Sequence, residues 1–196
     1  MKIRTPQNKS REQIPEGTYL ARLLWLTDLG ERPEFNYKGT IIPSAYKIEF
    51  TYELVSTKMN SGKPFVISED IKNNNWEDVN TGKRSTFISR CRSLLGTDYK
   101  KAVEDPSILL GCPCSVTIVH NQNGYPKIDG QAGVGSVMQG VEVPELTNKP
   151  YIFSLDEPDM EIWDSFPEFK QNKIQEAINF NETGLAKLIN EELPWE

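Results

Sequence analysis

The stretch SAYKIEFTYEL, residues 44–54, alternates apolar and polar side chains along its length. One set of alternate positions carries Tyr, Ile, Phe, Tyr and Leu, and the set between them carries Lys, Glu, Thr and Glu. Because successive side chains of a β-strand point to opposite faces, this period of two predicts a strand with one face toward a core. The segments on either side continue the β pattern.

Four further strands are predicted around this one. The segment GTYLARLLWLTDLG, residues 17–30, predicts a long first strand, and its apolar residues on both faces indicate curvature or a bulge. An Asn-Ser-Gly turn precedes a third strand near residues 63–71. The segment GCPCSVTIVHNQNGYPKIDG, residues 111–130, predicts a hairpin, because Asn-Gly favours the positive φ of a tight turn.

A helix is predicted between the third and fourth strands. In STFISRCRSLLG, residues 85–96, the apolar side chains line one helical face, Ser85 can cap the start and Gly96 the end. Five strands with a helix between strands 3 and 4 is the order of the OB-fold, a Greek-key barrel that binds oligonucleotides or oligosaccharides. We therefore predict a mainly β protein built on a five-stranded OB-fold barrel.

Charge divides the chain into a body and an acidic C-terminal part. Residues 1–140 contain 18 Lys/Arg against 15 Asp/Glu, whereas residues 141–196 contain 4 against 13. Acidic segments behind a near-neutral or basic body are typical of interaction segments, although a solvated surface gives the same pattern. The predicted units are a flexible basic arm (1–16), the OB-fold domain (17–140), an acidic, partly helical extension with a helix packed on or beside the barrel (141–180), and an acidic tail (181–196).

Composition excludes several classes of protein. With three cysteines and one histidine, a disulfide framework is not expected, and a zinc ion would lack a fourth ligand. No P-loop, nucleophile elbow or H-E-x-x-H pattern is present, so we expect no enzyme and neither a cofactor nor a metal. No apolar run approaches the roughly 20 residues of a membrane helix, and the first residues lack the apolar stretch of a signal peptide, so a cytoplasmic location is expected.

Aromatic and basic residues interleave where an OB barrel would contact a ligand. Single-strand recognition needs aromatic faces on which bases stack and cations that follow the phosphates. Core packing is the alternative for each aromatic, but Tyr37, Trp76 and Tyr125 lie among polar turn residues, where stacking is as good an interpretation as burial. The predicted DNA-binding residues are Arg22, Tyr37, Lys38, Lys47, Lys63, Phe65, Trp76, Tyr125 and Lys127.

Several blocks of the chain, across residues 14–178, resemble a known family. The blocks IPEGTYLARLLWLTDLG, YKIEFTYEL followed by GKPFVIS, LLGCPCSVTIVHNQNGYPKI and PELTNKPYIFSLDEPDMEIWDSFPEFKQNKI are similar to successive blocks of single-stranded DNA-binding proteins of tailed bacteriophages. The resemblance implies an OB-fold that coats single-stranded DNA during phage replication or recombination, in the bacterial host cell. The polar loop KNNNWEDVNTGK departs from this resemblance, since a shorter and more basic segment is expected before the helix.

The chain ends on EELPWE, residues 191–196. Replicative single-strand binders carry an acidic tail with a small hydrophobic tip, and EELPWE is similar to such a tip. The likeness implies that Trp195 is presented to a polymerase, helicase or recombinase, and packing of Trp195 onto the body is the alternative. The predicted partner-binding residues are Glu191, Glu192, Leu193, Pro194, Trp195 and Glu196.

Two other functions compete with the predicted sequence-non-specific, non-enzymatic binding of single-stranded DNA. An OB-type protein-interaction or structural module would need no nucleic acid. An accessory protein of DNA repair or recombination would carry weak nuclease-related activity, and the lack of a metal-ligand cluster in the sequence argues against it.

Overall fold

The protein is built mainly of β-strands in the computed structural model, which describes residues 12–134 and 142–191. The described residues form the strands β1 (Gly17–Arg32), β2 (Phe35–Tyr37), β3 (Thr40–Ile42), β4 (Ala45–Lys58), β5 (Pro64–Lys72), β6 (Pro113–His120), β7 (Pro126–Gly133) and β8 (Tyr151–Phe153). The predicted mainly β class is confirmed.

The helices of the described residues are short, and they lie either between β5 and β6 or after β8. They are α1 (Thr86–Leu95), α2 (Lys101–Glu104), α3 (Met160–Ser165), α4 (Glu168–Gln175) and α5 (Gly184–Glu191), with 3-10 turns at Gly96–Lys100, Pro106–Leu109 and Phe180–Glu182. Within these parts of the chain, no helix has both the length and the apolar character needed to span a lipid bilayer.

Six of the strands form one sheet, in the order β5-β4-β1-β6-β7, with β8 added parallel to β1. The other pairings in this sheet are antiparallel. The five predicted strands correspond to β1, β4, β5, β6 and β7, and α1 follows the third of them as predicted. In the described part of the chain no ladder joins the edge strands β5 and β7, so the sheet is open rather than a closed barrel.

The long strand β1 bends and changes its partner along its length. Its first half pairs with β6 and its second half with β8. The register against β4 shifts between Leu23 and Trp25 and again between Asp28 and Glu31. Because such irregularities bend and twist a strand, the predicted curved or bulged first strand is confirmed.

The main hydrophobic core lies between the sheet and α1. Phe50, Tyr52 and Leu54 of β4 are fully buried there, as the alternation in residues 44–54 predicts. Phe87 of α1 meets Phe50 edge to face, with ring centroids 6.1 Å apart. This arrangement is favourable for aromatic pairs, because the positive ring edge meets the negative face.

The helix α1 begins and ends at the predicted caps. The Ser85 hydroxyl accepts a hydrogen bond from the Ile88 amide, and Gly96 follows the last residue with φ +60°. Glycine is suited to that position, because other residues are strained at positive φ. The predicted helix is therefore confirmed in position and capping.

The C-terminal extension, defined as residues 142–191, builds a second apolar cluster against β1. Leu29 of β1 packs there with Phe153, Trp163 and Phe166 of the extension. The nearby rings of Trp25 and Tyr151 stack with their centroids 5.0 Å apart. The extension is thus folded onto the sheet.

Two predicted boundaries need correction. The predicted tail starts at residue 181, but Leu185 and Ala186 are buried and α5 packs on the second apolar cluster, because its apolar side chains are removed from water there. The predicted flexible arm ends at residue 16, but Ile14 is buried in the main core and Glu12 accepts a hydrogen bond from the Asn60 amide. Residues 1–11 of the arm, and 192–196 of the tail, lie outside the described residues.

Carboxylates of β4 tie the extension to the sheet. Glu53 is fully buried and accepts hydrogen bonds from the Thr147 amide at 2.6 Å and from the backbone and side-chain amides of Asn148 at 3.0 and 2.6 Å. Glu49 accepts a hydrogen bond of 2.6 Å from the buried Lys170 ammonium. Because a buried charge is costly without such partners, the sheet and the extension stabilise each other.

The three cysteines are free thiols, and two of them are buried. Burial raises the pKa of the Cys91 and Cys114 thiols to about 12, and it also raises the pKa of Cys112. All three are therefore protonated at neutral pH, where the thiol is a poor nucleophile and metal ligand.

We predict that Glu53→Ala lowers the free energy of unfolding by about 3 kcal/mol, because three amide donors of Thr147 and Asn148 lose the charged acceptor that ties the extension to β4. Urea denaturation followed by tryptophan fluorescence measures the change. The control is Glu104→Ala, which removes an exposed carboxylate of α2 and should change stability by less than about 0.5 kcal/mol. Equal, small effects of the two substitutions would show that Glu53 does not hold the extension.

Candidate functional site

The β2–β3 hairpin stands apart from the main sheet and exposes apolar side chains. Lys38 and Gly39 form its turn with φ of +51° and +85°, which is the two-residue hairpin turn that matches strand twist. The exposed fractions are 49% for Phe35, 58% for Tyr37 and 65% for Ile41. Such exposure of aromatic and aliphatic groups in a short hairpin marks a surface available to a ligand.

The hairpin borders a surface groove of about 370 Å³ that reaches the ends of β4 and β5. Phe35 and Ile42 pair across the hairpin and both line the groove, with Pro33 and Pro43 beside them. Since side chains two apart on a strand share a face, Tyr37 lies on the same hairpin face as Phe35. The polar lining includes Arg32, Lys47, Glu69, Asp70 and Lys72.

Lys47 and Lys72 bring two like charges together in this groove. They are directly opposite in the β4–β5 ladder, and neither forms an ion pair with a described residue. Like charges placed directly opposite destabilise a sheet. The other charges of the groove are matched, Glu69 by Arg90, Asp70 by Lys173 and Arg32 by Glu176. The groove therefore carries two positive charges that no ion pair among residues 12–134 and 142–191 neutralises.

The predicted site residues divide between the two ends of the sheet. Tyr37, Lys38 and Lys47 lie at the end where β1 and β5 finish, and the loop that carries Trp76 begins at the same end. Lys63, Tyr125 and Lys127 lie in or beside the β4–β5 and β6–β7 turns at the opposite end. About 35 Å of β4 separates the ends at roughly 3.3 Å per residue. The structure does not bring the two groups together.

Trp76 is half-exposed on a loop that its neighbours hold in place. Glu77 accepts a 2.6 Å hydrogen bond from the Tyr99 hydroxyl, which raises the pKa of that tyrosine, and it also pairs with Arg84 and Arg92. The indole is therefore presented from an ordered loop at the same end as the groove.

Two predicted site residues have internal roles. Phe65 is 4% exposed and belongs to the main core, because it falls on the inward-facing parity of β5. The Arg22 guanidinium donates to the carbonyls of Gly111, Val143 and Pro144 and to the Glu145 carboxylate. Its donors are occupied in joining β1 to Gly111 and to the extension, so neither Phe65 nor Arg22 presents a free side chain to a ligand.

The outer face of β4 is also covered. Glu49, Thr51 and Glu53 lie on it and are buried, although the sequence alternation predicts only one face toward a core. Lys170 and Lys173 of α4 bind the carboxylates of Glu49 and Asp70 on this side. A phosphate chain has no access to the middle of this face.

Phe35, Lys72 and Tyr46 were missed by sequence reasoning. Phe35 and Lys72 line the groove, and Tyr46 is half-exposed at the same end of the sheet. Phe35 lies outside the five strands that the sequence predicts, and the Lys38-Gly39 turn is the available signal for a hairpin there. The pairing of Lys72 with Lys47 depends on the strand register, which the sequence does not reveal.

Comparison of the chain with models of known protein families, with curated proteins and with solved structures finds no match. The function must therefore be inferred from the groove, the hairpin and their charges.

We predict that Lys72→Gln raises the free energy of unfolding by about 0.5 kcal/mol at low salt, because it removes the repulsion from Lys47. The gain should fade in about 1 M salt, where the repulsion is screened. Urea denaturation at both salt concentrations tests this, with Lys83→Gln in an exposed loop as the control. A loss of stability in Lys72→Gln would mean that its ammonium makes a favourable internal contact.

Proposed function

We propose that this chain is a single-stranded DNA-binding protein without sequence specificity that acts in bacteriophage DNA replication or recombination. The observation that carries the proposal is one groove lined by two unmatched lysines and by the exposed Phe35 of the hairpin, with the exposed Tyr37 on the same hairpin face. Aromatic faces stack on any base and ammonium groups follow the phosphates, so this combination favours single strands of any sequence. In duplex DNA the base faces are already stacked and are not offered to the protein.

We also propose that the sheet is of the OB type. Its strand order and the position of α1 support this, as does the approach of β5 and β7, which run in the same direction and have Cα atoms within 8 Å of each other. An OB-fold is a partly open barrel whose ligand contacts include the loop between its first two strands. In this chain the β2–β3 hairpin occupies that connection.

Charge sets the expected strength of binding. The formal net charge is −6, and the groove contributes only two unmatched cations. For Z phosphate contacts to a single strand, the slope of log K against log salt is about −0.7Z. We therefore expect modest affinity and a shallow salt dependence, close to that of two or three phosphate contacts.

An OB-type protein-interaction module without nucleic-acid binding is the second candidate function. The exposure of Ile41, at 65%, favours it, because an aliphatic side chain is not a base-stacking platform. This candidate predicts no DNA binding at any salt concentration.

We predict that the chain binds oligo-dT more tightly than a duplex of the same length, and that Phe35→Ala with Tyr37→Ala weakens this binding by about 2 kcal/mol or more. Fluorescence anisotropy at about 0.1 M salt measures both effects. Phe169→Ala is the control, since Phe169 is an exposed aromatic on α4 that does not line the groove. Tyr125→Ala separately measures the contribution of the opposite end.

Equal affinity for single strands and duplex would contradict the proposed specificity. A loss of affinity in Tyr125→Ala but not in the hairpin variant would move the site to the β6–β7 turn.

For the tail we propose a recruiting role, which rests on the sequence alone because residues 192–196 lie outside the described structure. Removing residues 192–196 should abolish binding to a replication partner such as a polymerase, helicase or recombinase. It should tighten DNA binding several-fold at low salt, since the acidic tail and DNA compete for the same cations. A lower melting temperature with unchanged DNA affinity would instead indicate that Trp195 packs on the body.

A further inference from the structure

The Lys47–Lys72 pair places two lysines directly opposite each other in the lining of the groove. We propose that this pair is a subsite for the terminal phosphomonoester of a DNA strand, an inference that rests on the proposed binding of single-stranded DNA. The chain would then hold a strand end in the groove in addition to binding the interior of a strand.

The charge of the ligand decides between a terminal and an internal phosphate. An internal phosphodiester carries one negative charge, whereas a phosphomonoester carries about −1.5 to −2 at pH 7. The other charged groups around the pair come from β1, β4, β5, α1 and the segment of α4 with its C-terminal cap, and they neutralise one another. The pairs are Arg32 with Glu176, Glu69 with Arg90, Glu49 with Lys170, and Asp70 with Lys173. Two unmatched cations therefore complement a dianion better than a monoanion.

The walls of the groove suit a terminal nucleotide. Its volume of about 370 Å³ lies within the range of roughly 300–1,000 Å³ that small-molecule sites occupy. Phe35 and Ile42 provide an apolar wall on the hairpin side, where a base can stack while its phosphate meets the lysines. Arg32, at the boundary with the extension, is held by Glu176.

The extension disfavours a strand that continues past the groove in its direction. Residues 141–196 contain 13 acidic side chains against 4 basic ones. This net negative charge disfavours a phosphate backbone that runs on over the extension, whereas a strand that ends at the lysine pair avoids it.

The test compares oligo-dT of about 12 nucleotides, a length within the usual site sizes, carrying a 5′-phosphate, a 3′-phosphate or hydroxyls at both ends. At pH 8 we expect one of the phosphorylated strands to bind about fivefold more tightly than the hydroxyl strand by fluorescence anisotropy, because one additional charge contacts the pair. The preferred end identifies the strand polarity.

Two double variants distinguish binding at this subsite from non-specific electrostatic attraction between lysines and DNA. Lys47→Gln with Lys72→Gln should remove the preference for the phosphorylated end. The matched control, Lys58→Gln with Lys83→Gln, removes two exposed lysines that do not line the groove and should leave the ratio of affinities unchanged. The preference should also fade near pH 5, because the second ionisation of a phosphomonoester has a pKa of about 6.

The outcomes separate this inference from the proposed function. Equal binding of all three strands, with Lys47→Gln and Lys72→Gln weakening them alike, overturns the subsite and leaves the single-strand function intact. Absence of binding to any strand overturns both. Competition by dTMP at the same concentration as the phosphorylated strand would overturn the assignment to a strand end, because a mononucleotide would then be a sufficient ligand.

Discussion

The buried carboxylate of Glu53 sets the condition on which the arrangement of the chain depends. It lies at the centre of the sheet without exposure to solvent, and its three hydrogen bonds come from Thr147 and Asn148, more than 90 positions further along the chain. An ionised carboxylate without donors in such a place would be strongly destabilising. The sheet is therefore completed only when the extension lies across β4, and Lys170 on Glu49 repeats the same requirement four residues earlier on the same face of the strand.

This requirement determines where a ligand can bind. With the outer face of β4 covered, a surface groove with unmatched lysines remains at the end of the sheet, where the β2–β3 hairpin and the last residues of β5 meet. The extension also supplies the groups that neutralise Asp70 and Arg32 beside this groove. The lysines of α4 thus pair with carboxylates of the sheet, while many carboxylates of the extension are exposed to solvent. A segment that is acidic overall therefore attaches to the sheet through its few lysines.

The lysine pair stands out because the rest of the groove is electrostatically matched. The repulsion between two opposed lysines would be smaller with a neutral residue at one position or with an unpaired carboxylate nearby. The carboxylates of Glu69 and Asp70 are close by, but each is already paired with another residue. The repulsion is retained at the site where the aromatic hairpin also leaves apolar rings exposed. Both features cost stability in the free protein, and an anionic ligand with a stacking face would relieve both.

Local patterns in the sequence determined the individual elements. The alternation in residues 44–54 gives β4, the hydroxyl of Ser85 and the glycine at 96 delimit α1, and the mixed faces of residues 17–30 correspond to the register shifts of β1. These features arise from interactions between residues a few positions apart, so they can be predicted from neighbouring side chains.

Only the tertiary structure decided which polar side chains are buried and which are open to a ligand. Arg22 and Glu53 meet partners about 90 to 120 positions away, Phe65 is buried through the parity of its strand, and Lys72 faces Lys47 through the β4–β5 register. Whether a charged side chain is paired internally or left open to a ligand depends on the residues that long-range packing places beside it. Local sequence patterns do not encode those residues.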